Sequence, residues 1–263
     1  MTPPARERIH PLVAVAAAVG IAFVALPLLA LLVRAPWAHV LDSLSSNGAW
    51  TALRLSLVVS LLAAGLSVIL GLPIAWVLAR GRVRGRAFIR AVVILPIVLP
   101  PVVGGIALLA SLGRSGIVGR WLYDAFGLQL PFTTAGAVLA ATFVSMPLFV
   151  LAAESGLRSL DTRLEDAAAA TGASRRYVFR RITIPLLAPQ LIAGAVLAWA
   201  RALGEFGATI TFAGNLAGRT QTLPLAVYTA RQTDPGAAIL LSLLLVVLSL
   251  LVLVLLRDRL FAR

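Results

Sequence analysis

Charge-free apolar stretches recur along the chain and set its organisation. Six of them run over residues 11–33, 55–79, 91–113, 125–153, 182–200 and 235–256. The fourth is expected to begin near Thr133, after the polar Gly127-Leu128-Gln129 stretch. A helix of about 20 apolar residues crosses a bilayer. Lipid offers no partner to bare backbone groups, so segments of this kind should be helices. The prediction is an all-α polytopic membrane protein with six transmembrane helices. A secretory signal would carry an apolar region of about 7–15 residues, whereas Pro11 to Val33 is charge-free throughout. The first stretch therefore reads as a retained helix. No strong internal repeat or low-complexity linker interrupts the pattern. The expected division is an N-terminal helix and external loop over 1–49, a membrane domain over 50–256, and a short cytoplasmic tail over 257–263. No appended cytoplasmic domain is expected after it.

The polar positions between these stretches orient the bundle. Arg6, Arg8, Arg80, Arg82, Arg84, Arg86, Arg90, Arg158, Arg163, Arg175, Arg176, Arg180, Arg181, Arg257, Arg259 and Arg263 fall on one side. Arg34, Arg54, Arg114, Arg120, Arg219 and Arg231 fall on the other, and Arg201 lies inside the end of span five. Positive residues stay cytoplasmic, which puts both termini inside.

Composition changes this picture in two ways. At 60% hydrophobic and 13% charged, with mean hydropathy +0.98, the chain is too apolar for an ordinary soluble domain. The formal charge of +13 would suggest nucleic acid, but its distribution is topological, so no nucleic acid partner is expected. All 23 basic residues are arginine, and the chain has no cysteine and two histidines. A Walker A loop needs a lysine, so ATP cannot be handled here by that route. Schiff-base chemistry, thiol nucleophiles, disulfides and cysteine-built metal sites are excluded too. No cofactor is expected on this chain.

The cytoplasmic segment between spans four and five is too patterned to be a connector. Thr162 followed by Glu165 is a capping-box signature, and the alanines at 167–170 favour helix. Gly172 should end that helix, Ser174 cap a second, and Pro185 close the polar stretch. Two short helices on a glycine elbow are the prediction. On physics alone they either meet a partner's acidic groove or lie on anionic lipid. The run Asp166-Ala167-Ala168, three residues, Gly172, nine residues, Ile182-Thr183-Ile184-Pro185 resembles the EAA motif of ATP-binding-cassette importer permeases. Asp166 stands in place of the motif's glutamate and Ile184 in place of its leucine. The resemblance implies a coupling element seated on a separate ATPase subunit, which would hold the ATP and Mg²⁺. Its implied contacts are Leu164, Glu165, Asp166, Ala167, Ala168, Thr171 and Gly172, with Arg175 and Arg176 at the rim.

Span three carries Leu99-Pro100-Pro101-Val102-Val103-Gly104-Gly105. Prolines bend helices and paired glycines allow close backbone packing, so this is either a bent gating helix or a kinked packing helix. Span five ends in an arginine that lies roughly 18 Å along the helix from Pro189, beyond mid-membrane. That residue, Arg201, is four from Glu205, so the two can pair. Ionisable groups at such depth face the bundle interior or a water-filled cavity. They form a structural ion pair or help attract an anion.

The stretch from Arg201 to Asn215, with the segment Arg219 to Tyr228, closely resembles molybdate-transporter permeases, sulfate permeases being next. The resemblance covers about residues 50–256. It implies a type I ABC importer permease-like fold and molybdate import by alternating access across a prokaryotic plasma membrane. The implied partners are ABC ATPase subunits, an extracytoplasmic oxyanion-binding protein received on loops 34–50, 114–132 and 214–234, and a second permease copy forming a homodimer. Path or gate candidates are Pro100, Pro101, Gly104, Gly105, Arg201, Glu205, Thr209, Thr211 and Asn215, with Thr220 and Thr222 as further oxyanion donors. The alternatives are a sulfate or thiosulfate permease and an ion-coupled secondary transporter. An intramembrane enzyme is disfavoured, because no span bears a nucleophile–base set or metal motif.

Overall fold

A computed structural model describes residues 10–40 and 47–260. The candidate charges Arg6, Arg8 and Arg263, and residues 41–46 of the first external loop, lie outside the described residues. Each apolar stretch is helical over most of its length, and no strand occurs among the described residues.

Helix α1 spans Pro11–Arg34 and α2 spans Asn47–Arg80. Helices α3 (Arg86–Val98) and α4 (Pro101–Leu112) share the third stretch, and α5 (Gly119–Phe126) is a short outer helix. Helix α6 covers Thr134–Ser159, and the side chain of Thr133 caps it by accepting from Gly136 N. Two short helices follow, α7 (Arg163–Ala170) and α8 (Arg175–Val178), and then a π-turn over Phe179–Thr183. Then come α9 (Ile184–Leu203), α10 (Gly207–Phe212), α11 (Leu223–Thr233) and α12 (Pro235–Leu260).

Length and composition qualify α1, α2, α6 and the continuous Arg175–Leu203 helix as spans, and a fifth arises if α3 and α4 count as one broken span. The third stretch was expected to be a single bent helix over 91–113. Instead α3 and α4 turn through 119° between Val98 and Pro101. Prolines 100 and 101 are the reason. Neither has an N–H to continue the ladder, and each pushes the residue before it into extended geometry. Leu99 sits at ψ 137° and Pro100 at ψ 131°. The sixth stretch lies within α12, whose helix runs on to Leu260 rather than stopping at 256.

The core is a three-helix junction of α2, α6 and α9. At its inner end Ala75 and Leu78 of α2 meet Phe149, Val150, Ala153 and Leu157 of α6 and Leu187 of α9. Small residues set the spacing. A Cβ on Gly194 would lie 2.9 Å from the Ala152 Cβ, so α9 approaches α6 more closely than any larger side chain allows. Burial ranks the helices: 61% of the most apolar part of α6 is buried, against none of α1. Helix α1 meets α12 at its C-terminal end, where Leu31 and the capping residue Ala35 pack with Leu240 and Leu243. Its bare apolar surface is what lipid contact requires.

Candidate coupling and translocation sites

The elbow between α6 and α9 is built as two helices on a glycine, with two departures from expectation. Gly172 adopts φ +87°, a left-handed conformation that stops α7, and Ser174 Oγ caps α8 by accepting from Tyr177 N at 3.3 Å. Thr162, however, makes no side-chain cap. Asp161 does that work, its Oδ1 accepting from Arg163 N at 3.0 Å. The capping box fails because Glu165, its second member, is engaged elsewhere. The second short helix is not separate either. It runs through the π-turn into α9, giving one helix from Arg175 to Leu203.

Glu165 points back into the protein. Its Oε2 accepts from Arg80 Nη1 at 2.5 Å, and its Oε1 accepts from the Thr183 hydroxyl at 2.5 Å. The Arg80 guanidinium lies 4.9 Å above the Trp76 ring, which meets Phe179 edge-on at 5.4 Å. Leu164, Asp166, Ala167, Thr171, Gly172, Arg175 and Arg176 are exposed, and Ala168 is half-buried. A cavity of about 340 Å³ opens between α2, α7 and α8, with Arg80, Asp166, Arg175 and Phe179 among its walls.

Next to this elbow lies a second charged knot that the sequence did not single out. Glu154 of α6 is 1% exposed. Arg90 of α3 and Arg158 of α6 both donate to its Oε1, at 2.6 and 2.7 Å, and Arg90 Nε reaches Oε2 at 3.1 Å. Arg86 Nη2 donates to the carbonyl of Ala79 at 2.8 Å. Cations suit the last turn of α2, where carbonyls are unpaired. These arginines therefore hold the lower limb of the broken third stretch against α2 and α6.

Farther out, the breaks in two helices meet. Helix α9 ends at Leu203, and α10 begins at Gly207. Gly207 packs against the proline hinge so tightly that a Cβ there would lie 2.7 Å from Pro101 Cβ. A Cβ on Gly105 would lie 2.5 Å from Thr211 Cβ, and one on Gly104 3.1 Å from Phe143. Glu205 sits in the break, 3% exposed. It accepts from Arg201 Nη1 at 2.5 Å and from Ala208 N at 2.8 Å. The i, i+4 pair thus forms across a helix end and not along one face. Arg201 keeps a side-chain exposure of 34%.

The other candidates serve the fold locally. Thr211 donates to the Gly207 carbonyl at 2.8 Å, and Asn215 Nδ2 donates to Thr229 at 2.9 Å. Thr220 Oγ1 accepts from Leu216 N at 2.9 Å. Thr209 and Thr222 are buried, while Pro100 and Pro101 are exposed. The segment 214–234, expected as a loop, contains α11, which packs Leu223 and Ala226 against Ala49 and Ala52 of α2. A proline at its second position and the Ser56 hydroxyl, which accepts from Leu223 N at 2.6 Å, start that helix.

Residues 67–263 match the family described as binding-protein-dependent transport system inner membrane component. The chain is 48% identical over 233 residues to the molybdenum transport system permease protein ModB of Mycobacterium bovis, covering 89% of this chain and 88% of that protein. It is 34% identical over 202 residues to the sulfate transport system permease protein CysW of a Synechocystis species, covering 75% and 73%. A chain of a bacterial alginate ABC transporter superposes with a TM-score of 0.71 at 18% identity, covering 95% of each chain. That likeness bears on the fold, which is the type I importer permease-like fold expected. The chain belongs to the binding-protein-dependent transport system inner-membrane component family, the multi-pass permease subunits of ABC importers.

Proposed function

We propose that this chain carries molybdate inward by alternating access, driven by a separate ATPase chain that holds the ATP and Mg²⁺. The 48% identity to ModB, against 34% to CysW, carries the choice of substrate. Two copies form the path as an isologous homodimer. Each crosses the membrane six times, with α3 and α4 as one broken crossing and both termini cytoplasmic. The importer domain occupies 50–256, and α1 is a lipid-facing addition. A substrate-binding protein delivers the oxyanion to the outer surface around α5 and α11.

The coupling follows from continuity. Leu164, Asp166, Ala167 and Thr171 offer a small-residue face to the ATPase, with Arg175 and Arg176 beside it. Closure of the ATPase dimer loads the elbow. The load enters α8 and travels along the single helix to Arg201, about 40 Å away at 1.5 Å per residue. There α9 ends beside the proline hinge, where Pro100 and Pro101 have no N–H to continue the helical ladder and resist rotation. Arg201 gives a passing oxyanion a half-exposed cation, and Glu205 keeps that site close to neutral so that the ion is not trapped.

Uptake of labelled molybdate into proteoliposomes, with the cognate ATPase and binding protein, tests this reading. Uptake should require ATP and should not be matched by sulfate with a sulfate-binding protein. Uptake without ATP would overturn the mechanism, and equal sulfate uptake the substrate. Asp166→Arg should lower capture of the ATPase by at least about tenfold, since an unfavourable charge at an interface costs more than the roughly 1.4 kcal/mol that tenfold represents. Undiminished capture would remove Asp166 from the docking face.

A further inference from the structure

Glu165 was expected to touch the ATPase, yet both of its carboxylate oxygens are committed within this chain. It is the neighbour of Asp166 on the same short helix, about a quarter-turn away, and both border the same cavity, but its side chain is only 14% exposed. Its two partners belong to two different helices. Arg80 is the last residue of α2, and Thr183 is the last residue of the π-turn that leads into α9. One carboxylate therefore ties the coupling helix to the cytoplasmic ends of two core helices.

The surroundings make this tie stiff. Arg80 is sandwiched between the carboxylate and the Trp76 ring, and Trp76 in turn braces Phe179 of the π-turn. Charge-assisted hydrogen bonds to a mostly buried carboxylate are among the stronger polar contacts. A π-turn places five residues where the α-helix ladder is locally widened, a feature that recurs at functional positions. Here the widening puts the Thr183 hydroxyl 2.5 Å from Glu165.

We infer that Glu165 is a positioning residue that transmits motion of α7 to α2 and α9 together, and does not bind the ATPase. The inference rests on the permease reading above. It separates two jobs on adjacent residues: Asp166 docks and Glu165 transmits. A load on α7 then moves both core helices as one body, and the path responds only while the tie is intact.

The test uses the full complex in proteoliposomes. Glu165→Gln keeps the side chain's size and removes the charge that holds Arg80. It should leave the ATPase captured at the wild-type ratio while raising the ATP consumed per ion imported about tenfold, the scale of losing one charge-assisted hydrogen bond. Glu165→Asp should recover part of the coupling. Arg80→Gln should give the same defect, and the double variant should be no worse than either single, because one linkage is lost in each case. Thr183→Val removes a single hydroxyl and supplies the same readout should Glu165→Gln fail to assemble. Loss of ATPase capture in Glu165→Gln, or unchanged ATP per ion in both Glu165→Gln and Thr183→Val, overturns the inference. Failure of the wild type to import molybdate would instead strike the function proposed above.

Discussion

The inner and outer ends of this bundle are held by different physics. At the end that carries the elbow, proposed to be cytoplasmic, charge joins elements far apart in sequence: Arg80 to Glu165, and Arg90 to Glu154. Close glycine contacts occur at both ends, Gly156 lying against Gln190 near the first, but at the outer end they join elements without charge, with Gly105 against Thr211 and Gly207 against Pro101. The ion pairs described there, Arg201 with Glu205 and Arg120 with Asp124, are both local. Charged ties are specific in geometry and can be broken and remade as a unit when water reaches them. Glycine contacts cannot be remade at another register, because van der Waals repulsion rises steeply within tenths of an ångström. Under the proposed mechanism, the difference suits an inner end that receives force and an outer end whose hinge must keep its alignment.

This contrast can be broken in a graded way. The largest effect is expected from Gly105→Leu. Its Cβ alone would lie 2.5 Å from Thr211 Cβ and 3.0 Å from the Ala208 carbonyl. Overpacking of this kind costs about 3 kcal/mol, read as a fall in the thermal midpoint of the purified permease. Gly65→Ala is the control, since nothing lies within 4 Å of a Cβ there. A midpoint unchanged by Gly105→Leu would contradict the close packing.

Glu154→Gln comes next. Breaking a buried pair costs up to about 5 kcal/mol, but Arg90 and Arg158 are 41% and 47% exposed, so water can take over part of their solvation. About 2 kcal/mol is the expected loss, measured by denaturant unfolding. The smallest effect is at Arg120 and Asp124, paired at 3.6 Å with exposures of 78% and 64%. Asp124→Asn should leave stability and uptake within error. A large loss there would show that α5 is held by something other than its own packing.

Much of this architecture was legible from sequence for a physical reason. A membrane imposes a local rule, so apolar length marks the helices without knowledge of the fold. Thr133, Gly172 and Ser174 were also readable, because a helix cap is satisfied by atoms within three residues. The capping box at Thr162 and Glu165 was misread for the opposite reason. Its partner bonds lie 85 and 18 positions away, and a local motif cannot announce a distant competitor. The arginines at 80, 86 and 90 looked interchangeable as markers of topology. In the structure Arg80 and Arg90 each hold a particular carboxylate, and Arg86 holds a particular carbonyl.

By itself the sequence determined that this chain is helical, membrane-embedded and unable to bind ATP through a Walker lysine. Those conclusions follow from hydropathy and from missing functional groups, which no folding can alter. Tertiary structure alone decided that the third stretch breaks by 119°, that α8 and α9 are one helix, and that Glu165 faces inward. Each depends on which of several satisfiable local conformations best serves contacts between distant helices, a choice made only when those helices pack.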